Sequence, residues 1–214
     1  PYTTLFRSVK IEGFLQEPSG YNAEGEPIAL NFATGEPDAR TLRHPDGVIL
    51  DIGTHVLAML RETVLYLGGS DDMTLQVVTA KDRLGREIAT GDLTTAEGEA
   101  HLQGSISGVP VDIWLNKYAG PAGGQKGLRF HLRDGRIVSH DRRGAEDVLE
   151  LIKGKEIQRW HIPGTIYEHC LAEHILGAKS LFERDPHQVS RTTRRRVEEV
   201  TLLLTLQQQL RGPH

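Results

Sequence analysis

The chain has 214 residues, with 25 Lys and Arg against 29 Asp and Glu, a formal net charge of −4. That balance supplies no basic surface for nucleic acid or for an anionic membrane, and no apolar run approaches the roughly 20 residues of a membrane-spanning helix. The single cysteine, Cys170, excludes an internal disulfide and fits a reducing, cytoplasmic setting.

Pro1–Ser8 carries no initiating Met and reads as the translation of a sequencing-library adapter. The domain is therefore expected to span 9–214, with further coding sequence upstream. Val9–Gln16 alternates apolar and polar residues, as a strand does. Residues 17–46 are rich in Pro, Gly, Asn and Asp and read as a long loop, with one short strand-like piece near Ile28–Phe32. An apolar helix follows from Asp46 to about Leu67, ended by Gly68-Gly69. Met73–Ala80, Glu97–Ser107, Val109–Tyr118, Gly127–Leu132, Arg136–Ser139, Val148–Ile152 and Glu156–Trp160 read as strands, while Leu84–Ile88 is ambiguous. Asp134-Gly135 and Ser107-Gly108 are hairpin dipeptides, and Gly120–Gly127 is a flexible connection without the Gly-Lys-Ser/Thr ending of a phosphate loop. Tyr167–Phe182 and a segment from Ser190 to about Leu210 read as closing helices, the second with Val197, Val200, Leu203, Leu204 and Leu210 inward. The order predicts an α+β domain: a large, mostly antiparallel open sheet with helices on one face.

The helix at 46–67 holds the chemistry. It is apolar nearly all round, yet Asp51 and His55 sit within it four residues apart, on one face. Such a pair is costly to bury unless its members bond to each other or face a cavity. Taken alone it is more often a structural hydrogen bond; the other readings are a carboxylate-tuned imidazole that exchanges a proton and two ligands of a metal site that lacks a firm third. Gly53 between them allows a close approach to the backbone. Arg40, Arg43 and His44 in the preceding loop, and Thr54 beside His55, are candidate substrate contacts, the arginines suiting a carboxylate or phosphate group. Trp114, Asn116, Lys117 and Tyr118 are further pocket candidates if their face is covered. His169, Cys170 and His174 read as part of an amphipathic helix, and Arg191 with Arg194–Arg196 as a solvated face.

The run Gly47-Val48-Ile49-Leu50-Asp51-Ile52-Gly53-Thr54-His55 resembles, in its Asp-x-Gly-x-His part and the apolar residues before it, the Gly-x-x-Leu-x-Asp-x-Gly-x-His signature in the C-terminal domain of the glucose–fructose oxidoreductase / inositol dehydrogenase / MocA (GFO/IDH/MocA) family; the Gly and Leu of that signature fall in register on Asp46 and Ile49. The order of the remaining elements over 9–212 is similar too. The resemblance implies an NAD(P)-dependent oxidoreductase of sugars, cyclitols and related compounds. His55 would exchange the proton of a substrate hydroxyl and Asp51 would orient it. It also implies a nucleotide-binding domain and a catalytic lysine upstream, since neither Gly-x-Gly-x-x-Gly nor Glu-Lys-Pro occurs here; without them the fragment would be inactive. Many relatives carry an acidic residue where this chain has Ala58. The family's sheet face commonly forms an oligomer interface, so the mixed face of Val109–Tyr118 is the candidate surface for a homo-oligomer. Two other readings compete: a non-catalytic oligomerisation or ligand-binding module, and a metal-dependent hydrolase built on Asp51 and His55.

Overall fold

The computed structural model describes residues 7–17, 19–21, 27–29, 36, 47–118, 124–143, 146–163, 168, 172 and 186–212. The expected helix at Tyr167–Phe182 apart from residues 168 and 172, the loop residues Arg40, Arg43 and His44, and residues 120–123 of the Gly120–Gly127 connection lie outside them.

Eight strands form one open sheet in the order β10-β9-β8-β7-β1-β6-β5-β4. They are β1 (Ser8–Gln16), β4 (Met73–Lys81), β5 (Glu99–Ile106), β6 (Val109–Asn116), β7 (Gln125–Leu132), β8 (Arg136–Arg143), β9 (Glu146–Lys153) and β10 (Glu156–Ile162). Every neighbouring pair is antiparallel except β1 with β6, which run parallel from Ile11↔Val111 to Gln16↔Asn116. Within the long loop, β2 (Ser19–Tyr21) and β3 (Pro27–Ala29) make a small separate hairpin. The ambiguous segment Leu84–Ile88 is a turn held by Asp82, whose carboxylate accepts from the Leu84 and Arg86 amides at 2.9 Å each.

The helices bounded within the described residues are α1 (Val48–Asp51), α2 (Gly53–Tyr66) and α3 (Pro186–Arg211). They cover one face of the sheet. Alternation along each strand sends Ile11, Leu15, Leu102, Val111, Ile113, Leu115 and Leu128 into that core, where they meet Val48, Ile49, Val56, Leu57, Leu60, Leu203 and Leu206. Gly13 lets the helix approach β1: a Cβ there would lie 2.8 Å from Val56 Cγ1. Each fully buried aliphatic side chain contributes about 1.5–3 kcal/mol, so this layer is the main reason the long central helix stays on the sheet.

Two expectations are corrected. The single helix expected over 46–67 is two helices that meet at Ile52 (φ −114°, ψ −13°). The Ile52 amide still reaches Val48 O at 3.0 Å, but the His55 amide bonds back only three residues, to Ile52 O at 3.2 Å. The offset falls where Gly53 is pressed onto the core. In α3 the inward residues are Glu199, Leu203, Leu206, Gln207, Leu210 and Arg211, whereas Val197, Val200 and Leu204 are 60%, 43% and 46% exposed. The buried ionic side chains, not hydrophobicity alone, set the rotation of this helix. Its last turn is tied down by Arg211, and its middle by Arg61, which donates to Glu198 at 2.7 Å and to the Arg195 carbonyl at 3.0 Å.

Candidate functional site

The site grows from the start of α1. Gly47 is extended (φ −83°, ψ −177°) and provides no side-chain cap for the helix that follows. The cap comes from Glu97, 48 residues on from Ile49. Its carbonyl accepts the Val48 amide at 2.9 Å, and its Oε1 accepts the Ile49 amide at 3.3 Å. A carboxylate at a helix N-terminus complements both the free amides and the dipole. Glu97 is wholly buried, and burial pushes its carboxyl above the usual carboxylate range, against the pull of Arg211 and of its hydrogen bonds. Arg211 donates to Glu97 Oε2 at 3.0 Å and to the carbonyls of Asp92 and Thr95 at 2.7 and 2.6 Å. One network thus fixes the entry of α1 and the exit of α3.

Asp51 ends α1. Its partner is not His55 but Lys117, whose ammonium hydrogen-bonds Asp51 Oδ2. Lys117 is 4% exposed, and its Nζ is also 3.8 Å from Glu17 Oε2. The Asp51 side chain is 27% exposed, so this ion pair runs from the core to the surface. Lys117 follows β6 in the inward row Val111, Ile113, Leu115, and its amide bonds Gly98 O at 3.0 Å. Around it the strand ends are knitted together: Glu17 N donates to Asn116 O at 2.9 Å, Asn116 donates to Glu99 Oε2 at 2.7 Å, and the Tyr118 amide donates to Asn116 Oδ1 at 2.9 Å. The row of inward positions was the sequence signal for Lys117, because a charged residue at the fourth member of an apolar row needs a buried counter-charge.

His55 stands in the first turn of α2, exposed, and Thr54 beside it is half-buried. Among the described residues the imidazole has no hydrogen-bond partner, so the helical spacing that suggested an Asp51–His55 bond does not produce one. Gly53 also has a different role from a backbone approach for a ligand: a Cβ would meet Leu203 Cδ2 at 3.0 Å and Leu115 Cδ1 at 3.5 Å. It is the place where α3 and β6 close on the helix break. Chemically, the arrangement offers a free imidazole at the surface and a counter-charged carboxylate one turn before it. Among the described residues no group of three His, Cys, Asp or Glu is placed to hold a metal, and no helix is long and apolar enough to cross a membrane.

The opposite face of the sheet, on which no described helix packs, is polar and carries its own network. Lys10 bonds Glu12 Oε1 at 3.1 Å and Asp112 Oδ2 at 2.9 Å. Asp112 Oδ1 also takes His101 at 2.8 Å and Gln103 at 2.7 Å. His101 stacks on Trp114 (4.8 Å, 6° between planes), and His131 lies 3.2 Å from Glu12. Burial raises the Glu12 and Asp112 carboxyls, but the hydrogen bonds from Lys10 and the other donors outweigh it, and both end below their ordinary values. Trp114 and Asn116 therefore face away from the helix layer, while Lys117 faces into it.

No family model and no curated protein matches the chain. Solved structures do. KijD10, a 3-ketoreductase from Actinomadura kijaniata in complex with NADP and TDP-benzene, aligns over 95% of this chain and 57% of its own, with a TM-score of 0.55 at 13% identity. The dehydrogenase MviM from Clostridium difficile aligns over 94% of this chain and 54% of its own (TM-score 0.50, 10% identity). YPO2259 from Yersinia pestis, described as an oxidoreductase, aligns over 96% and 56% (TM-score 0.51, 16% identity). The chain spans about half the length of each, and at these identities the likeness is one of fold.

Proposed function

We propose that this chain is the substrate-binding, proton-transferring domain of an NAD(P)-dependent oxidoreductase of the GFO/IDH/MocA type, acting on a hydroxyl or carbonyl of a sugar, cyclitol or related compound. The observation that carries the reading is the setting of the Gly47–His55 motif. On a sheet-and-helix fold like that of an NADP-bound ketoreductase, it leaves a free imidazole at the surface beside an ion-paired carboxylate. His55 takes the hydroxyl proton in oxidation and returns it in reduction, and Asp51 supplies the fixed negative charge beside it. Arg40, Arg43, His44 and Thr54 are the proposed substrate contacts. The nicotinamide, when bound, takes up or supplies the hydride at the carbon whose oxygen His55 serves. The pattern Gly-x-Gly-x-x-Gly does not occur in the sequence; in this reading the dinucleotide's pyrophosphate is held by a separate nucleotide-binding domain, and the domain described here does not turn over by itself. The sheet face on which no described helix packs, with Trp114 beside His101 and Lys10, supports association with a second copy.

The test is steady-state assay of the full-length polypeptide with NAD+ and NADP+ against a panel of sugars and cyclitols. His55→Ala is expected to lower kcat by about 100-fold or more, with the affinity for dinucleotide unchanged. Wild-type turnover retained in His55→Ala, or no nicotinamide-dependent turnover with any member of the panel, refutes the reading.

A further inference from the structure

An inward-facing lysine is an unusual choice on the covered side of a sheet. The three positions before it in the row, Val111, Ile113 and Leu115, are 2%, 0% and 0% exposed, and Lys117 is 4%. Burying the ammonium is costly, and an ion pair in that position adds little to stability over a well-packed apolar pair. The cost therefore points to orientation and not to stability. The pair is also lopsided: the lysine is enclosed, while its partner Asp51 reaches the surface. Lys117 takes Oδ2 of that carboxylate, and Oδ1 has no partner among the described residues. His55, one turn on, is likewise without one. Glu17 comes up from the end of β1 on the other side of the ammonium, 3.8 Å away, so the lysine is held by groups from β1, β6 and α1.

We infer that Lys117 is a positioning residue. By holding Asp51 Oδ2 from the sheet side it leaves Oδ1 open, so that when the exposed His55 ring swings back one turn its N–H finds an acceptor there and one neutral tautomer is selected. The other ring nitrogen is then free to accept a proton from a substrate hydroxyl. A carboxylate acceptor selects the tautomer of an imidazole in this way because only the nitrogen facing it can carry the hydrogen. The inference rests on the proposed role of His55, and it places the control of that residue on the sheet and not on the helix that bears it.

The test uses the full-length polypeptide and two readouts: kcat and KM for nicotinamide-dependent alcohol oxidation, and the tautomer populations of the His55 ring from its nitrogen-15 signals. Lys117→Met is expected to lower kcat by about 10- to 100-fold, with KM for the dinucleotide changed by less than about twofold. It should also even out the two His55 tautomers as Asp51→Asn does. Lys117→Arg, which keeps the charge, restores most of both. A Lys117→Met protein with wild-type kcat overturns the inference, and so does a loss of kcat with the tautomer ratio unmoved, which is the mark of a merely structural residue. If the wild type shows no nicotinamide-dependent turnover but the tautomer ratio still follows Lys117, the oxidoreductase reading fails and the positioning role stands. Where Lys117→Met does not fold, Lys117→Gln is read against the same outcomes.

Discussion

Gly47→Ala isolates the first glycine of the motif. Its backbone is extended and open to any residue, so a glycine there is a matter of space. A Cβ would lie 2.0, 2.1 and 2.3 Å from the three carboxyl atoms of Glu97. A glutamate tip is normally free to move, but this one is 0% exposed and is held by the Ile49 amide and by Arg211. Displacing it breaks a buried ion pair and uncaps α1, which costs about 3–5 kcal/mol out of a typical domain stability of about 5–15 kcal/mol. Urea unfolding of the chain, followed by circular dichroism, should show a lower midpoint at unchanged slope. The control is the same substitution in a Glu97→Ala background. With the carboxyl gone the added methyl has room, and Gly47→Ala should be neutral or stabilising by about 0.4–1 kcal/mol through the unfolded chain. Equal costs in the two backgrounds, or a cost below about 1 kcal/mol in the wild type, refute the assignment of this glycine to the Glu97 carboxyl.

Two further outcomes concern the sheet face on which no described helix packs. Glu12 and Asp112 have folded values below their ordinary 4.5 and 3.8, so the stability they contribute is complete above those values and is lost as pH falls through the lower folded ones. Lys10→Met removes a donor common to both, and thermal melts from pH 6 to pH 2 should show a shallower acid slope than the wild type; an unchanged slope would contradict the network. Trp114→Glu places an added charge at the middle of the same face. Sedimentation velocity should then show a smaller species than the wild type, and a wild type that is already monomeric, or a mutant that keeps the same assembly, removes this face as the association surface.

Much of the fold was legible because strand periodicity is local. The alternation in Val109–Tyr118 gave the right two faces and the right strand, and the Gly-Gly stop at the end of α2 held. What the chain order could not reveal was the partner of each polar group. Asp51 and His55 look like a bonded pair at helical spacing, yet the nearest cation to Asp51 arrives from a strand 66 residues away. Gly53 reads as an opening for a ligand, and the space beside it is instead filled by the distant side chain of Leu203, as the space beside Gly47 is by Glu97. The rotation of α3 was misjudged for the same reason. Its apolar residues fall on two stripes, and the choice between them is made by Glu199 and Arg211, whose buried partners lie on α2 and in the segment before β5.

The parallel pairing of β1 with β6 has a kinetic side. β1 is the first of these eight strands in chain order, yet it lies between β6 and β7, which do not pair with each other. Gln16 must meet Asn116 on one flank and Gln125 on the other. At synthesis rates of about 5–20 residues per second, β1 therefore waits for several seconds with no strand to join. Until it inserts, β4–β6 and β7–β10 are separate antiparallel meanders that can each form from local contacts, and the step that unites them is a slow, non-local one. Ile11, Phe14 and Leu15, buried once the sheet closes, are in the meantime an exposed sticky segment. The strand that carries Lys10 and Glu12 of the polar network is thus also the segment most in need of protection before the protein is whole.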